Sequence, residues 1–234
     1  MKICISGVVI LVGNYGSGKT EVAINLAIDQ KRQGRQVRVA DLDLVNPYFR
    51  TRQARQVLNE LGIGVVLPPE HLLQADLPIL TPQVSGMIRR PDDVAILDVG
   101  GDDVGATVLA ALADVFRDLD PQPRMLQVVN PYRPNTDTVE GCLRVRRAIE
   151  TSARMPVKGW VGNANYLDET TLTDIRFGYE LMQRLERASG LPLEWITASP
   201  AVLPVQAQGE FGCPVLPIYR QLVPPWKAAD KLTS

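Results

Sequence analysis

Short apolar runs alternate along the whole chain with longer segments in which apolar residues recur every three or four positions. The short runs predict strands that are covered on both faces, and the longer segments predict amphipathic helices. The predicted strands are residues 8–12, 37–41, 94–98, 125–129, 158–161 and 194–197. This alternation predicts an α/β fold in which strand–helix units build a doubly wound, mostly parallel sheet with helices on both faces, a three-layer sandwich.

Three of the predicted helices have clear C-terminal ends. They are residues 19–33, 51–61 and 171–189. Each is followed directly by a glycine, namely Gly34, Gly62 or Gly190. Glycine commonly ends a helix because it adopts the left-handed backbone conformation without a steric penalty.

No change of composition, internal repeat or low-complexity tract divides the chain, so we expect a single domain over residues 1–234. Two segments, 68–91 and 214–225, are rich in proline and lack a clear period. They are predicted to be irregular. Loops of this kind in α/β proteins often lie over ligand or partner sites.

Charge and cysteine usage narrow the class of protein. Lys and Arg number 25 against 26 Asp and Glu, so no overall field attracts nucleic acid or an anionic membrane, and we expect neither as a partner. No run approaches the ~20 apolar residues of a membrane span. Cys4, Cys142 and Cys213 lie far apart without a CxxC pair, which favours reduced thiols in a cytoplasmic protein. An intersubunit site that joins Cys4 and Cys213 is the alternative.

The strongest motif is a glycine-rich segment between the first predicted strand and the first predicted helix. Its residues are Gly13, Asn14, Tyr15, Gly16, Ser17, Gly18, Lys19 and Thr20. They match the P-loop pattern of Gly, four residues, Gly-Lys and Ser or Thr. Backbone N–H groups of such a loop and the helix N-terminus surround phosphate oxygens. Lys19 is then expected to reach the terminal phosphates and Thr20 to hold Mg²⁺. A glycine-rich turn without a ligand is the alternative.

Two further predicted strands end in carboxylates. Asp98 ends an apolar strand and is followed by Val99-Gly100-Gly101. Asp98 therefore occupies the Walker-B position and is expected to face the magnesium ion. Asp41 and Asp43 follow an earlier strand, and alternation places both on one side. These carboxylates suit magnesium–water coordination and the orientation of an attacking water, and Asp43 is the residue assigned to that role. The alternatives are plain polar turns at both places.

Together these three elements resemble the MinD/ParA/CobQ-type branch, within the SIMIBI class, of P-loop NTPases. The resemblance implies an ATP- and Mg²⁺-dependent ATPase in which Lys19, Asp43 and Asp98 are catalytic and Thr20, Asp43 and Asp98 hold the metal. Asn163 resembles the family's base-contacting Asn, and Pro200 stands where the family lays a loop against adenine. The resemblance also implies an ATP-dependent homodimer or a protein partner.

One position departs from the family pattern. Most ParA-like and MinD-like members carry a signature lysine directly after the first P-loop glycine, and this chain has Asn14 there. The in-trans lysine mechanism therefore does not carry over. Arg50 and Arg52 lie just past Asp41 and Asp43 and are candidates for the missing positive charge. The alternative is that both arginines are simply exposed to solvent.

The leading function is an ATPase that acts as a nucleotide-dependent switch or as an assembly or maturation factor. The alternative is an ATP-dependent small-molecule ligase or kinase resembling dethiobiotin synthetase. A scaffold that retains a P-loop without turnover is a third class. ATP is expected over GTP, because guanine recognition uses a carboxylate three positions after the base-contacting Asn, and position 166 is Tyr.

Overall fold

A computed structural model describes residues 1–43, 51–67, 82–101, 103–222 and 229–230, with only the backbone at residues 51–53 and 103–105. The strands are β1 (Gly7–Val12), β2 (Val37–Leu42), β3 (Gly64–Val66), β4 (Val94–Val99), β5 (Arg124–Val129), β6 (Val157–Gly162), β7 (Leu193–Ala198) and β8 (Val215–Pro217). The helices are α1 (Lys19–Arg32), α2 (Thr51–Glu60), α3 (Pro82–Arg89), α4 (Asp103–Ala111), α5 (Ala113–Arg117), α6 (Val139–Ala153) and α7 (Leu172–Ser189).

All of these strands belong to one sheet in the order β3-β2-β4-β1-β5-β6-β7-β8, and every neighbouring pair is parallel. β1 lies in the interior of the sheet between β4 and β5. The carboxyl ends of the strands therefore meet along one edge, where open α/β sheets bind their ligands.

Helices cover both faces of the sheet. Val9 and Leu11 of β1 lie in the core cluster that contains the buried residues of α1 and α2. Val8 and Ile10 point to the other face and lie in the cluster that contains residues of α3, α4, α5 and α6. This alternation builds the predicted three-layer α/β sandwich, and the predicted fold class is confirmed. No helix within the described ranges is both long and apolar enough to span a bilayer.

The six predicted strands and three predicted helices agree with the structure to within one residue at each end. The two missed strands, β3 and β8, form the two edges of the sheet and have three residues each. A run of three residues is too short to show a period, so the pattern of the sequence could not distinguish these strands from loops.

The prediction that two proline-rich segments are irregular is partly wrong. Within the segment predicted to be irregular over 68–91, residues Pro82–Arg89 form α3, and residues 68–81 lie outside the described ranges. Proline is tolerated in the first turn of a helix because its missing N–H has no intrahelical partner there. The helix is held by the burial of Val84, Met87 and Ile88 on its inner face. The second segment, 214–225, begins with β8, and its last three residues lie outside the described ranges.

Candidate nucleotide-binding site

The glycine-rich loop joins β1 to α1 at the carboxyl edge of the sheet and is packed on both sides. Gly13 and Gly18 have positive φ angles of 149° and 89°. A Cβ atom on Gly13 would overlap the carbonyl oxygen of Val128, and one on Gly18 would overlap the amide of Asn163. Only glycine fits these two positions, because both the backbone conformation and the space exclude a side chain.

Lys19, the first residue of α1, is buried and folds back over the loop. Its Nζ atom donates to the carbonyl oxygens of Gly13, at 3.2 Å, and Asn14, at 3.3 Å. Ser17 is fully buried, and its hydroxyl has no hydrogen-bond partner in the described part of the chain. The loop thus presents a buried ammonium and an unsatisfied hydroxyl, groups that suit a phosphate ligand.

Asp98 lies near the end of β4 and is 1% exposed. Its Cα pairs with Leu11 of β1 and with Asp41 of β2. Neither of its carboxylate oxygens has a hydrogen-bond partner among the described residues, although the Thr20 hydroxyl is close enough to stabilise the charged form. A buried carboxylate without donors is costly in a folded protein unless a cation compensates it.

Burial raises the pKa of Asp98 to about 7, and the negative charge of Asp41 adds to this rise, with a smaller contribution from Asp43. The Thr20 hydroxyl and the Lys19 ammonium act in the opposite direction. The described residues contain no group of three His, Cys, Asp or Glu side chains that could hold a metal by themselves. This donor set fits Mg²⁺, which keeps several waters and shares its remaining positions between one or two protein groups and phosphate oxygens.

Asp41 and Asp43 are half-buried at the end of β2, and the backbone N–H of Asp43 donates to Oδ1 of Asp41 at 3.0 Å. The sequence analysis assigned the orientation of the attacking water to Asp43, whereas in the structure it is Asp41 that pairs directly with Asp98. That proximity depends on the pairing of β2 with β4, for which the sequence carries no local signal. Residues 44–50, which include Arg50, and the side chain of Arg52 lie outside what the structure describes.

The loop after β4 touches the glycine-rich loop at Gly101. A Cβ atom there would lie 2.8 Å from Nζ of Lys19 and 2.9 Å from the Cα atom of Tyr15. The loop after β4 and the glycine-rich loop are therefore in direct contact. Asp102 lies outside the described residues.

Asn163, which follows β6, is buried and bonded at both ends of its amide. Its Nδ2 donates to the carbonyl oxygen of Ser17 at 2.7 Å, and its Oδ1 accepts from the Thr197 hydroxyl at 2.5 Å. Asn163 therefore braces the glycine-rich loop against β7. Pro200, half-buried, lies on the loop that follows β7. Sequence reasoning missed Thr197, whose only signal was a hydroxyl near the carboxyl end of a strand.

Comparisons with known proteins give structural neighbours only. No protein-family model matches the sequence, and no curated protein matches it either. The cell division protein FtsY from Thermotoga maritima is similar, with 21% identity, a TM-score of 0.55, and coverage of 83% of this chain and 62% of that one. The signal recognition particle receptor FtsY from Elizabethkingia anophelis, in complex with GDP, has 19% identity and a TM-score of 0.55 over 84% of this chain and 58% of that one.

A third neighbour is the signal recognition particle 54 kDa protein from Aeropyrum pernix, in complex with GDP. It has 17% identity and a TM-score of 0.54, over 82% of this chain and 41% of that one. This chain thus spans less than two thirds of the length of each of these neighbours. At such identities the likeness establishes the fold: this chain has the α/β fold of a P-loop NTPase.

Proposed function

We propose that this chain binds Mg·ATP and hydrolyses it as a nucleotide-dependent switch or as an assembly or maturation factor of the MinD/ParA/CobQ type. The observation that carries the proposal is the buried carboxylate of Asp98 beside Lys19 and Thr20. Apart from the nearby Thr20 hydroxyl, its oxygens have no donor in the described part of the chain, and it lies where the P-loop pattern calls for a magnesium carboxylate.

Each residue of the site has a separate role in this proposal. The backbone N–H groups of residues 13–20 surround the phosphates, and Lys19 neutralises their charge. Thr20 and Asp98 would hold a bound magnesium ion, Asp98 through water, and the ion would neutralise charge on the phosphates. Asp43 belongs to the metal's water shell and orients the attacking water.

ATP is the proposed nucleotide, with Asn163 and the loop at Pro200 at the adenine end. Guanine recognition needs a free carboxylate for N1–H and the 2-amino group, and position 166 holds Tyr. The next carboxylate, Asp168, pairs with Arg220 at 2.9 Å. The two signal recognition particle proteins hold GDP, so the base preference is the sharpest question at this site. Displacement of a fluorescent ATP analogue by ATP and GTP answers it, and equal displacement overturns the assignment to ATP.

The proposal is tested by the binding of the same analogue with and without Mg²⁺. Lys19→Ala should abolish binding, because the lysine contacts phosphate in every bound state. Asp98→Ala should weaken binding only when magnesium is present. Lys2→Ala, at an exposed lysine outside the site, is the matched control. If Lys19→Ala binds the analogue as tightly as the parent, the loop is a structural turn and the proposal fails.

A nucleotide-dependent homodimer or protein partner in the cytoplasm completes the proposal. Tyr15 lies within the glycine-rich loop and is 63% exposed, which places an aromatic ring at the protein surface beside the proposed phosphate site. Sedimentation with a non-hydrolysable ATP analogue should then show a larger species than without it. A monomer under both conditions would leave a partner of another kind as the remaining route to switching.

A further inference from the structure

Asn14 occupies the position of the family's signature lysine. Its side chain faces the segment between β5 and α6 of the same chain. Its Nδ2 donates to the carbonyl oxygen of Pro134 at 2.6 Å, and its Oδ1 accepts from the N–H of Tyr15 at 2.9 Å. Pro134 belongs to the segment between β5 and α6. The residue at this position therefore ties the glycine-rich loop to a segment far away in the sequence.

The residue before Pro134 is an arginine, and it lies against the same loop. Nε of Arg133 donates to the carbonyl oxygen of Gly16 at 3.1 Å. A Cβ atom on Gly16 would lie 3.3 Å from that nitrogen, so the guanidinium packs directly on the loop backbone. Gly16 itself has a φ of 73°, which a side chain would strain.

The backbone of Arg133 is hydrogen-bonded to two buried residues that flank its turn. Its N–H donates to the carbonyl oxygen of Asn130 at 3.2 Å, and its own carbonyl accepts from the N–H of Thr136 at 3.1 Å. The Thr136 hydroxyl also donates to Asn130, at 2.7 Å, and both of these residues are fully buried. The arginine thus projects from a rigid support, which lowers the entropic cost of presenting its charge.

The guanidinium of Arg133 pairs with no carboxylate of the described chain, and Gly16 is its only hydrogen-bond acceptor there. Arg133 is half-buried, so its two terminal nitrogens remain donors at the rim of the loop. A guanidinium binds phosphate oxygens with two parallel hydrogen bonds, and such charge-assisted bonds are strong where water is partly excluded.

We propose that Arg133 binds the phosphates of the nucleotide from within the same chain, and that Asn14 positions the segment that carries it. This inference rests on the proposed function, because it needs a nucleotide in the loop. Arg133 then supplies the positive charge that related proteins draw from the signature lysine of a second subunit. One consequence is that the phosphate end of the site is complete in the monomer.

The test separates the charge of Arg133 from its hydrogen bond to Gly16. Arg133→Gln keeps an N–H donor and removes the charge, whereas Arg133→Lys keeps the charge. With a fluorescent ATP analogue and Mg²⁺, Arg133→Gln should bind about tenfold more weakly, the loss expected for one charge-assisted hydrogen bond. Arg133→Lys should bind more weakly than the parent but more tightly than Arg133→Gln, since a point charge still attracts phosphate but cannot make the two parallel hydrogen bonds.

Arg117→Gln is the control, because Arg117 is an exposed arginine on α5 away from the loop, and it should bind as the parent does. Melting temperatures confirm that each variant is folded. Parent-like binding by Arg133→Gln overturns the inference alone, as does a loss in Arg133→Lys equal to that in Arg133→Gln. If the parent binds no nucleotide, both the proposed function and this inference fail.

A double-mutant cycle tests the role of Asn14. Asn14→Ala should weaken binding of the same analogue in the parent and have little effect in Arg133→Gln, because its contribution passes through the arginine. Equal effects in the two backgrounds would show that Asn14 acts independently of Arg133 and overturn the positioning role.

Discussion

Asp41 and Asp98 are opposite each other on the neighbouring parallel strands β2 and β4. Their side chains share the sheet face that carries α1, because each has the same parity as the strand residues in that face's core. Two carboxylates are thus held together at the first turn of the helix that carries Lys19 and Thr20. Neighbouring carboxylates repel each other in the isolated protein, and a bound cation would offset that repulsion.

The first prediction concerns the stability of the nucleotide-free protein. The folded-state pKa of Asp98 is raised from its ordinary value of 3.8 to about 7. The protonated Asp98 carboxyl therefore makes its full contribution to the free energy of unfolding below about pH 4. This contribution is lost as the pH rises toward 7. Asp98→Asn imitates the neutral form, so at pH 8 it should melt several degrees above the parent, and the difference should shrink at lower pH.

Thermal unfolding in EDTA without nucleotide, from pH 5 to pH 8, measures this difference. Its upper limit is about 4 kcal/mol, because one pKa unit corresponds to about 1.4 kcal/mol. Asp118→Asn, at an exposed carboxylate, should show no comparable pH-dependent gain. A gain for Asp98→Asn that is equal at pH 5 and pH 8 would refute the electrostatic explanation.

The second prediction separates hydrolysis from binding. Asp43 is assigned to water orientation, an interaction that matters mainly in the transition state. Asp43→Ala should keep ATP affinity within about threefold and lower the single-turnover rate about a hundredfold, the scale for loss of a general base or positioning group. Single-turnover measurements are needed because switch NTPases turn over slowly without a partner. A parent-like rate would mean that Asp43 is structural.

The third prediction concerns the contact between the loops after β1 and β4. In Gly101→Ala the added methyl group would lie 2.9 Å from the Cα atom of Tyr15. The backbone of the glycine-rich loop must shift to make room for it. We expect at least about a fivefold loss of ATP-analogue affinity, equivalent to about 1 kcal/mol of strain. Gly86→Ala is the control, since its site on α3 has open space and alanine is favoured in helices. Unchanged binding by Gly101→Ala would show that the loop adapts freely.

The fourth prediction concerns the brace between Asn163 and Thr197. Thr197→Val removes the hydroxyl that holds the Asn163 amide and leaves a buried acceptor unsatisfied, which costs about 1–3 kcal/mol. The variant should melt at a lower temperature and bind the ATP analogue several-fold more weakly. Thr151→Val removes an exposed hydroxyl on α6 and should change neither quantity appreciably. If Thr197→Val loses stability but keeps full affinity, the brace does not order the loop.

Much of the site could be predicted from the sequence because its signals are local. The glycine-rich loop is a contiguous motif between a strand and a helix, and the apolar periods place those elements to within one residue. Asp98 was recognisable only in combination with the glycine-rich motif, because a carboxylate at the end of an apolar strand is by itself often a plain turn. The edge strands β3 and β8 and the helix α3 were not predicted because they are short and because their burial depends on neighbouring elements of the fold.

Only the tertiary structure decided which groups meet the loop. Arg133 and Pro134 lie 117 and 120 positions from the loop residues that they bond, and no local pattern encodes such a pairing. The same holds for Asp41 beside Asp98, which requires β2 to lie next to β4, and for Asn163 against Ser17. Periodicity determines the elements because backbone geometry repeats within a few residues. Contacts across the sheet depend on strand order, which is set by packing over the whole chain.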